Sequence, residues 1–295
     1  MQSTIGEPVG IAAGGPDDGW QREPLDLPGY LTRIGYRAGT EVTVPTLTAL
    51  HRAHVAAIPF ENLDIPLGRG VSVDLAAIGA KLVGQRRGGY CFEHGLLFAA
   101  VLERLGFAVT RTLTRTGDPA VHPRPRSHLV VRVQFGDAVW LADPGFGAGL
   151  LEPVPLTHAQ VHRQGRWRLR TWRGDDGGWR LQQHRPDGWE TLYTLVDEVT
   201  YPVDVAGANH LTATSPGSPF VGRLVVVRKD DDQVRRLIGR DYTVEPAEGA
   251  SVTRTVADVA LGEVLAALGV HLCPADLAAL SPPAAAPTIA SRTER

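Results

Sequence analysis

Cys91 is one of only two cysteines in the chain, and it stands where a glycine-containing segment gives way to an apolar helical pattern. The segment reads RRGGYCFEHGLLFAAVLERLGF from Arg86 to Phe107. A cysteine at the start of a helix lies near unpaired backbone N–H groups and the positive end of the helix dipole. That environment favours the thiolate, the nucleophilic form of the side chain. Cysteine is also among the most buried residue types, so position alone leaves a core residue and a nucleophile both open.

A nucleophilic cysteine needs a general base, and that base needs a group that orients it. Two later segments, 127–135 and 138–146, alternate like β-strands and flank the dipeptide Gly136-Asp137. Glycine and aspartate are favoured in two-residue hairpin turns. The sequence therefore predicts an antiparallel hairpin in which the turn fixes which residues face each other.

The hairpin register places a histidine and an aspartate on one face. Asp143 lies opposite Val130, and His128 shares the face of Val130 because the two are two residues apart. His128 and Asp143 are then diagonal neighbours with side chains within bonding reach. The opposite face carries a consistent apolar set: Leu129, Val131, Val133 and Trp140. An oriented imidazole requires such a setting, so Cys91, His128 and Asp143 form the candidate catalytic triad.

Other interpretations of these residues stay open. A histidine and an aspartate on a hairpin also form surface ion pairs, which contribute little. His122 is a rival base in the loop HPRPR, and His94 follows Cys91 at helical spacing, within reach of its sulfur. His128 is preferred because the pattern supplies neither rival with an orienting carboxylate. Cys273 has apolar neighbours and is expected to be inert.

The first part of the chain is predicted to be helical. Residues 1–25 are rich in Gly, Pro and Asp and are expected to form a loose extension, with a flexible tail at 281–295. Between them, 26–106 forms a helical domain that carries the cysteine. Apolar spacing and terminal residues predict its helices over 45–58, 73–84 and the segment from Cys91 to Gly106.

The second part has the character of strands. Residues 107–195 alternate in short segments without intervening helices, which predicts an antiparallel sheet or barrel carrying His128 and Asp143. Residues 196–280 mix both patterns and are predicted to form a linker and a small α/β domain. Its predicted elements are an irregular loop ending at Phe220, a strand over 223–229 and a helix over 256–270.

Composition argues against several classes of partner. A net charge of −2 and a pI near 6.6 give no electrostatic basis for binding nucleic acid or an anionic membrane. Two distant cysteines form no disulfide framework, which predicts a reducing, cytoplasmic setting. We find no membrane-span or signal-peptide pattern in the sequence. The histidines and acids have no metal-ligand spacing, so no metal is expected.

The chain resembles the arylamine N-acetyltransferases. Five blocks in that family's order span most of 26–280: IPFENLDI (58–65), RGGYCFEH (87–94), SHLVVRV (127–133), WLADPGFG (140–147) and NHLTATSPGSPF (209–220). The resemblance implies an α+β fold of three domains: an N-terminal helical bundle, a central antiparallel β-barrel and a C-terminal α/β lid. Matched block by block, the family's catalytic triad falls on Cys91, His128 and Asp143.

The resemblance also implies roles for residues near the triad. The positions implied to bind substrate are Phe60, Phe146, Gly145 and Ser127. Arg87 and Glu61 resemble the family's structural ion pair, which ties the cysteine loop to the first domain. Arg124 and Arg126 are candidates for binding phosphates of coenzyme A or of a carrier-protein phosphopantetheine, with solvated loop charges as the alternative.

The implied activity is ping-pong acyl transfer. Cys91 would take an acetyl group from acetyl-CoA, or another acyl group from a thioester, and pass it to an arylamine or hydrazine, with no tightly bound cofactor. Pro144 and the loop DPAVHPRPRSH depart from the family's usual pattern. They keep open an amide synthase of the same superfamily, which would use a polyketide acyl chain on an acyl carrier protein. A transglutaminase-like or peptidase-like cysteine enzyme is a distant alternative.

Overall fold

The structure, a computed structural model, describes residues 18–23 and 25–280. Its α-helices are α1 (Leu27–Arg33), α2 (Val44–Ala57), α3 (Leu75–Gly79), α4 (Cys91–Arg104), α5 (Pro202–Thr214), α6 (Leu261–Ala267) and α7 (Pro274–Leu280). Its strands are β1 (Phe60–Glu61), β2 (Ala108–Thr116), β3 (Arg126–Phe135), β4 (Ala138–Ala142), β5 (Val154–Pro155), β6 (Val161–Gln164), β7 (Trp167–Arg173), β8 (Trp179–Arg185), β9 (Gly188–Leu195), β10 (Val225–Lys229), β11 (Gln233–Ile238), β12 (Asp241–Pro246) and β13 (Val252–Thr255).

The helices that precede the barrel begin and end at residues with clear local reasons. The Thr43 side chain accepts a hydrogen bond from the Thr46 N–H at 3.3 Å and caps α2, which ends just before Pro59. Asp74 caps α3 in the same way, and this helix continues as one π-helical turn over Ala80–Gly84. Gly106, with φ +92°, follows α4 in the left-handed conformation typical of a helix end.

Eight strands form a nearly closed antiparallel barrel in the order β5-β4-β3-β2-β9-β8-β7-β6. The two ends of this sheet meet beyond β5, where His158 bridges Thr171 of β7 and the Thr171 hydroxyl accepts from the Thr157 N–H. The hairpin β3–β4 has the predicted register, with Phe135 opposite Ala138. Gly136 in its turn has φ +57°, the sign required at the first central residue of a type II′ turn.

A second sheet has the order β1-β10-β11-β12-β13. Its first strand, β1, lies in the segment 26–106, which the sequence predicted to be helical. Phe60 of this strand pairs with Val227 of β10. Asn62, almost fully buried, secures this junction. Its side-chain amide donates to the carbonyls of Phe220 and Arg223, and its side-chain oxygen accepts from the Val225 N–H at 2.7 Å.

Three expectations from the sequence need correction. The loop predicted to end at Phe220 is largely helical: α5 begins with Pro202, is capped by Asp204 and runs to Thr214. The helix predicted over 256–270 is a 3₁₀ turn followed by the shorter α6. The strand predicted over 138–146 ends at Ala142, because Pro144 cannot continue the ladder.

The described part of the predicted loose extension packs on the body of the protein. The Arg111 guanidinium lies over the Trp20 ring, 4.4 Å from its centroid, and Arg22 pairs with Glu103 at 3.0 Å. Residues 18–23 are therefore held in place. The rest of the extension, apart from the buried Leu25, and the predicted tail at 281–295 lie outside the described residues.

The predicted fold class agrees with the structure: helices come first, the antiparallel barrel follows, and a mixed α/β region ends the described chain. The proposed domain limits at residues 106 and 195 stay predictions. Strand β1 lies in the proposed helical domain, yet it pairs with β10 of the proposed α/β domain. In the described ranges, no helix has both the length and the apolar character that crossing a membrane requires.

Asn62→Ala should destabilise the protein by about 2–4 kcal/mol, because backbone groups on three residues lose their partner and the Val225 N–H among them is buried. Urea unfolding measures the change. Thr243→Ala, which removes one of two paired hydroxyls on the exposed side of β12, serves as the control and should change the unfolding free energy by less than about 0.5 kcal/mol. Equal effects of the two substitutions would contradict the assigned role of Asn62.

Candidate active site

Cys91 is the first residue of α4 and is buried. Its sulfur lies 3.5 Å from the carbonyl oxygen of Ser127, which the thiol faces as a donor. Ser127 therefore contacts the candidate nucleophile through its backbone. The turn before the helix packs tightly, since a Cβ on Gly88 would lie 2.2 Å from the carbonyl oxygen of Pro59.

Buried ion pairs hold residues 85–90, the cysteine loop, which directly precede Cys91. Arg87 contacts Glu61 at 2.7 Å, as the family resemblance suggested. Lys81 contacts Glu93 at 2.8 Å and Asp64 at 2.6 Å. The second oxygen of Glu93 accepts the Tyr90 N–H at 3.0 Å, and burial raises the pKa of Glu93 to about 7. These charges lie beneath the cysteine loop and fix the start of α4.

His128 and Asp143 meet as the hairpin register predicts. Nε2 of His128 lies 2.9 Å from Oδ2 of Asp143, and the two side chains are 3% and 0% exposed. This contact leaves Nδ1 of His128 as the nitrogen available to Cys91. The structure therefore brings the three predicted triad residues together from α4, β3 and the end of β4.

The electrostatics of the site favour an imidazolium. Burial alone would lower the pKa of His128, but the charge and hydrogen bond of Asp143, together with Cys91, raise it to about 10. Burial would likewise raise the pKa of Asp143, yet His128, the Gly145 N–H and the nearby Tyr193 hydroxyl hold it below its usual range. A buried carboxylate costs several kcal/mol unless it is paired, so each group stabilises the charged form of the other.

The backbone around Asp143 is also fixed. The Gly145 N–H donates to Oδ1 of Asp143 at 3.0 Å, and the Asp143 N–H donates to Nε2 of His51 at 3.0 Å. Gly145 lies directly against α4: a Cβ there would be 2.9 Å from the Cys91 carbonyl oxygen and 3.1 Å from its Cα. Gly145, a predicted substrate position, thus places the segment 143–151, the aspartate loop, against Cys91.

Two aromatic rings flank the imidazole. Phe146 is edge-on to His128 with ring centroids 5.2 Å apart, and Tyr193 of β9 is 5.1 Å away. The buried Tyr193 hydroxyl has no hydrogen bond of good geometry, although its proximity to Asp143 helps to lower the pKa of that carboxyl. The sequence reasoning missed Tyr193. Its alternation in WETLYTL indicated a strand and gave no sign that β9 lies beside the triad.

Phe60 lies on the other side of the cysteine loop. Its ring is parallel to that of His94, with centroids 6.4 Å apart, and it packs against Phe220 at 5.9 Å. Phe220 was part of a recognised block but received no role from the sequence. Together with Phe146, these rings give the neighbourhood of the triad an aromatic character.

His94 is not available to the sulfur, because both of its ring nitrogens are engaged. Its Nε2 lies 3.0 Å from the Gly89 carbonyl oxygen and must carry the proton. Its Nδ1 therefore accepts from Nε2 of His54 at 2.8 Å, and Nδ1 of His54 accepts from the Tyr30 hydroxyl at 2.8 Å. The result is a buried chain of neutral rings that ends on the cysteine loop.

The remaining candidates lie at the surface. Arg126 pairs with Glu198, and the exposed Arg124 offers its carbonyl oxygen to Arg115. His122 is exposed in the same loop. Binding of phosphate by Arg124 and Arg126 stays a prediction. Residues 18–23 and 25–280 contain no group of three or more His, Cys, Asp or Glu side chains that could hold a metal ion.

Gly145→Ala should lower the rate of Cys91 alkylation by iodoacetamide by about 10²-fold, because the new Cβ displaces the Cys91 backbone or the aspartate loop. The rate is measured by quenching the alkylation at successive times and determining the intact mass of the protein. Gly207→Ala is the matched control: it lies within α5, where a Cβ meets nothing within 4 Å, and should leave the rate unchanged. Wild-type reactivity in Gly145→Ala would contradict the close contact.

Stability should fall between about pH 6 and pH 5. Burial lowers the pKa of His51 and His94 to about 4 and that of His54 well below its usual value, so unfolding takes up three protons. Glu93, with its raised pKa, releases one. A net uptake of two protons on unfolding lowers the free energy of unfolding by about 2–3 kcal/mol for each unit by which the pH falls. His128 contributes nothing to the slope in this range.

Urea unfolding at several pH values tests this slope, and His122→Gln should retain it because that side chain is exposed. A free energy of unfolding that is flat or rises from pH 6 to pH 5 would show that the buried rings are not neutral in the folded protein.

Comparison with known proteins agrees with this geometry. A family model described as N-acetyltransferase matches residues 43–271. The arylamine N-acetyltransferase of Mycolicibacterium smegmatis is 38% identical over 227 residues, which cover 75% of this chain and 82% of that protein. The crystal structure of Nocardia farcinica arylamine N-acetyltransferase superposes with a TM-score of 0.84 at 39% identity, covering 90% of this chain and 98% of that one.

The structure of Mycobacterium marinum arylamine N-acetyltransferase in complex with CoA is also similar, with a TM-score of 0.77 and 32% identity over 86% of this chain and 94% of that one. Sequence, fold and family model therefore agree, and the chain belongs to the arylamine N-acetyltransferase family of acyltransferases.

Proposed function

We propose that this acyltransferase moves an acetyl or other short acyl group from a coenzyme A thioester to an arylamine or hydrazine through an acyl-cysteine on Cys91. The proposal is carried by one observation: a buried cysteine at the start of a helix lies beside an imidazole that Asp143 holds in its protonated form. The complex of the M. marinum relative with CoA supports the choice of donor.

In the first half-reaction the Cys91 thiolate attacks the thioester carbonyl. The N–H groups in the first turn of α4 have no partner within the helix and are placed to stabilise the oxyanion. As the intermediate collapses, the bond between the acyl carbon and the carrier sulfur breaks, and the leaving thiolate takes the proton of His128. The products are acyl-Cys91, a free carrier thiol and a neutral imidazole.

In the second half-reaction the amine nitrogen attacks the acyl-cysteine. His128, now neutral, accepts a proton from the attacking nitrogen, and the bond between the acyl carbon and the Cys91 sulfur breaks. The amide leaves, and the thiolate–imidazolium pair is restored. Phe60, Phe146 and Phe220 supply the aromatic surface against which an aryl group of the acceptor would pack.

Incubation with p-nitrophenyl acetate followed by intact mass should reveal one acetyl group on the wild-type chain and none on Cys91→Ser, because the nucleophile is lost. Cys273→Ser is the matched control and should retain the adduct, since Cys273 lies outside the site. Absence of an adduct from the wild type, or an equal adduct on Cys91→Ser, would refute the acyl-cysteine intermediate.

A comparison of acyl donors in a turnover assay separates the two candidate activities. Acetyl-CoA with a simple arylamine should give turnover. The short acyl group would bind at Cys91, and the planar acceptor would pack against the aromatic rings beside the triad. Turnover restricted to long acyl chains on a carrier protein would instead indicate the amide synthase activity that the loop before His128 and Pro144 left open.

A further inference from the structure

His51 of α2 contacts the triad through the backbone nitrogen of Asp143. It is completely buried, and its ring is edge-on to Phe98 with centroids 5.6 Å apart. Its Nε2 lies 3.0 Å from the Asp143 nitrogen, and its Nδ1 lies 3.0 Å from the Leu151 carbonyl oxygen. One imidazole therefore binds both ends of the segment 143–151, the aspartate loop.

These two bonds fix the protonation of the ring. A backbone N–H only donates, so Nε2 of His51 must present its lone pair to Asp143; a carbonyl only accepts, so Nδ1 must carry the proton. The ring is therefore neutral and in a single tautomer. A protonated His51 would place an N–H against the Asp143 N–H and lose one of the two bonds. Burial, which lowers the pKa of His51 to about 4, keeps the ring in the required state.

The middle of the aspartate loop is held by a lysine of the second sheet. The ammonium group of Lys229 on β10 donates to the carbonyl oxygens of Ala148 and Gly149, at 3.2 and 2.6 Å. The loop carries Asp143 at its first position and Phe146, which touches His128, at its fourth. With its ends tied by His51 and its middle by Lys229, the loop presents the carboxylate in one orientation.

We propose that His51 is a positioning residue of this enzyme: as a neutral Nδ1–H imidazole it fixes the aspartate loop so that Asp143 stabilises the His128 imidazolium. This inference rests on the triad of the proposed function. The titratable groups that act on the triad are His51 and His94 from the helices, Tyr90 from the residue before α4 and Tyr193 from β9, and His54 acts on His51 itself.

The inference predicts a specific change in the pH dependence of Cys91. If the aspartate loop loosens, Asp143 stabilises the imidazolium less, and the imidazolium in turn stabilises the Cys91 thiolate less. The pH above which iodoacetamide alkylates Cys91 rapidly should therefore rise. For His51→Phe we expect this lower limb of the alkylation profile to move up by about half to one pH unit.

Three variants separate positioning from general loss of stability. His51→Phe removes both bonds, whereas His51→Gln retains an oxygen that can accept from the Asp143 N–H and should recover most of the wild-type profile. Leu50→Val creates a small cavity at the preceding, fully buried position of α2 and leaves both His51 bonds to the loop in place. It should lower the unfolding temperature and leave the profile unchanged.

A profile of His51→Phe that matches the wild type, or one that Leu50→Val reproduces, would overturn the proposal. If His51→Phe does not fold, ¹⁵N spectra of histidine-labelled wild type decide the question: a protonated His51, or the Nε2–H tautomer, at pH 6–8 overturns it. Failure of the proposed function is distinguishable, because the wild-type chain would then form no acetyl adduct on Cys91 at all.

Discussion

A carboxylate removed from water has to be stabilised by groups that the fold brings to it, and Asp143 is such a carboxylate. Its charge is retained because the His128 imidazolium, the Gly145 N–H and the neighbouring Tyr193 hydroxyl together offset the desolvation. Without that charge, burial would leave His128 neutral at physiological pH. The rest of the site can be understood as the means by which this one ion pair is kept dry and oriented.

The helices support the ion pair between Asp143 and His128 through buried histidine rings that stay neutral. His51 and His54, one turn apart on α2, reach towards different halves of the site: the first to the aspartate loop, the second through His94 to the cysteine loop. A cation at either position would compete with His128 for the field of Asp143. Neutral imidazoles supply a donor and an acceptor in fixed directions and add no charge.

The sequence was informative where local rules decide the geometry. The turn residues fixed the hairpin register, which in turn brought His128 to Asp143, and the glycine-to-helix transition placed Cys91 at a helix start. The sequence carried no such information about contacts between segments that are far apart in the chain. Neither His51 nor Tyr193 carries a local signal, because their contacts depend on how α2 and β9 pack against the barrel. The helix α5 had a readable start in Pro202 and Asp204, yet the polar residues that follow suggested a loop.

The pairing of Phe60 with Val227 sets an order of events during synthesis. The candidate nucleophile and its neighbours leave the ribosome early, but β1 acquires its strand partner only when β10 has emerged. At ordinary elongation rates this interval lasts roughly 10 to 30 s. Throughout it, Phe60 lacks the strand that pairs with it, so the nascent chain presents an aromatic segment to chaperones before the site is complete.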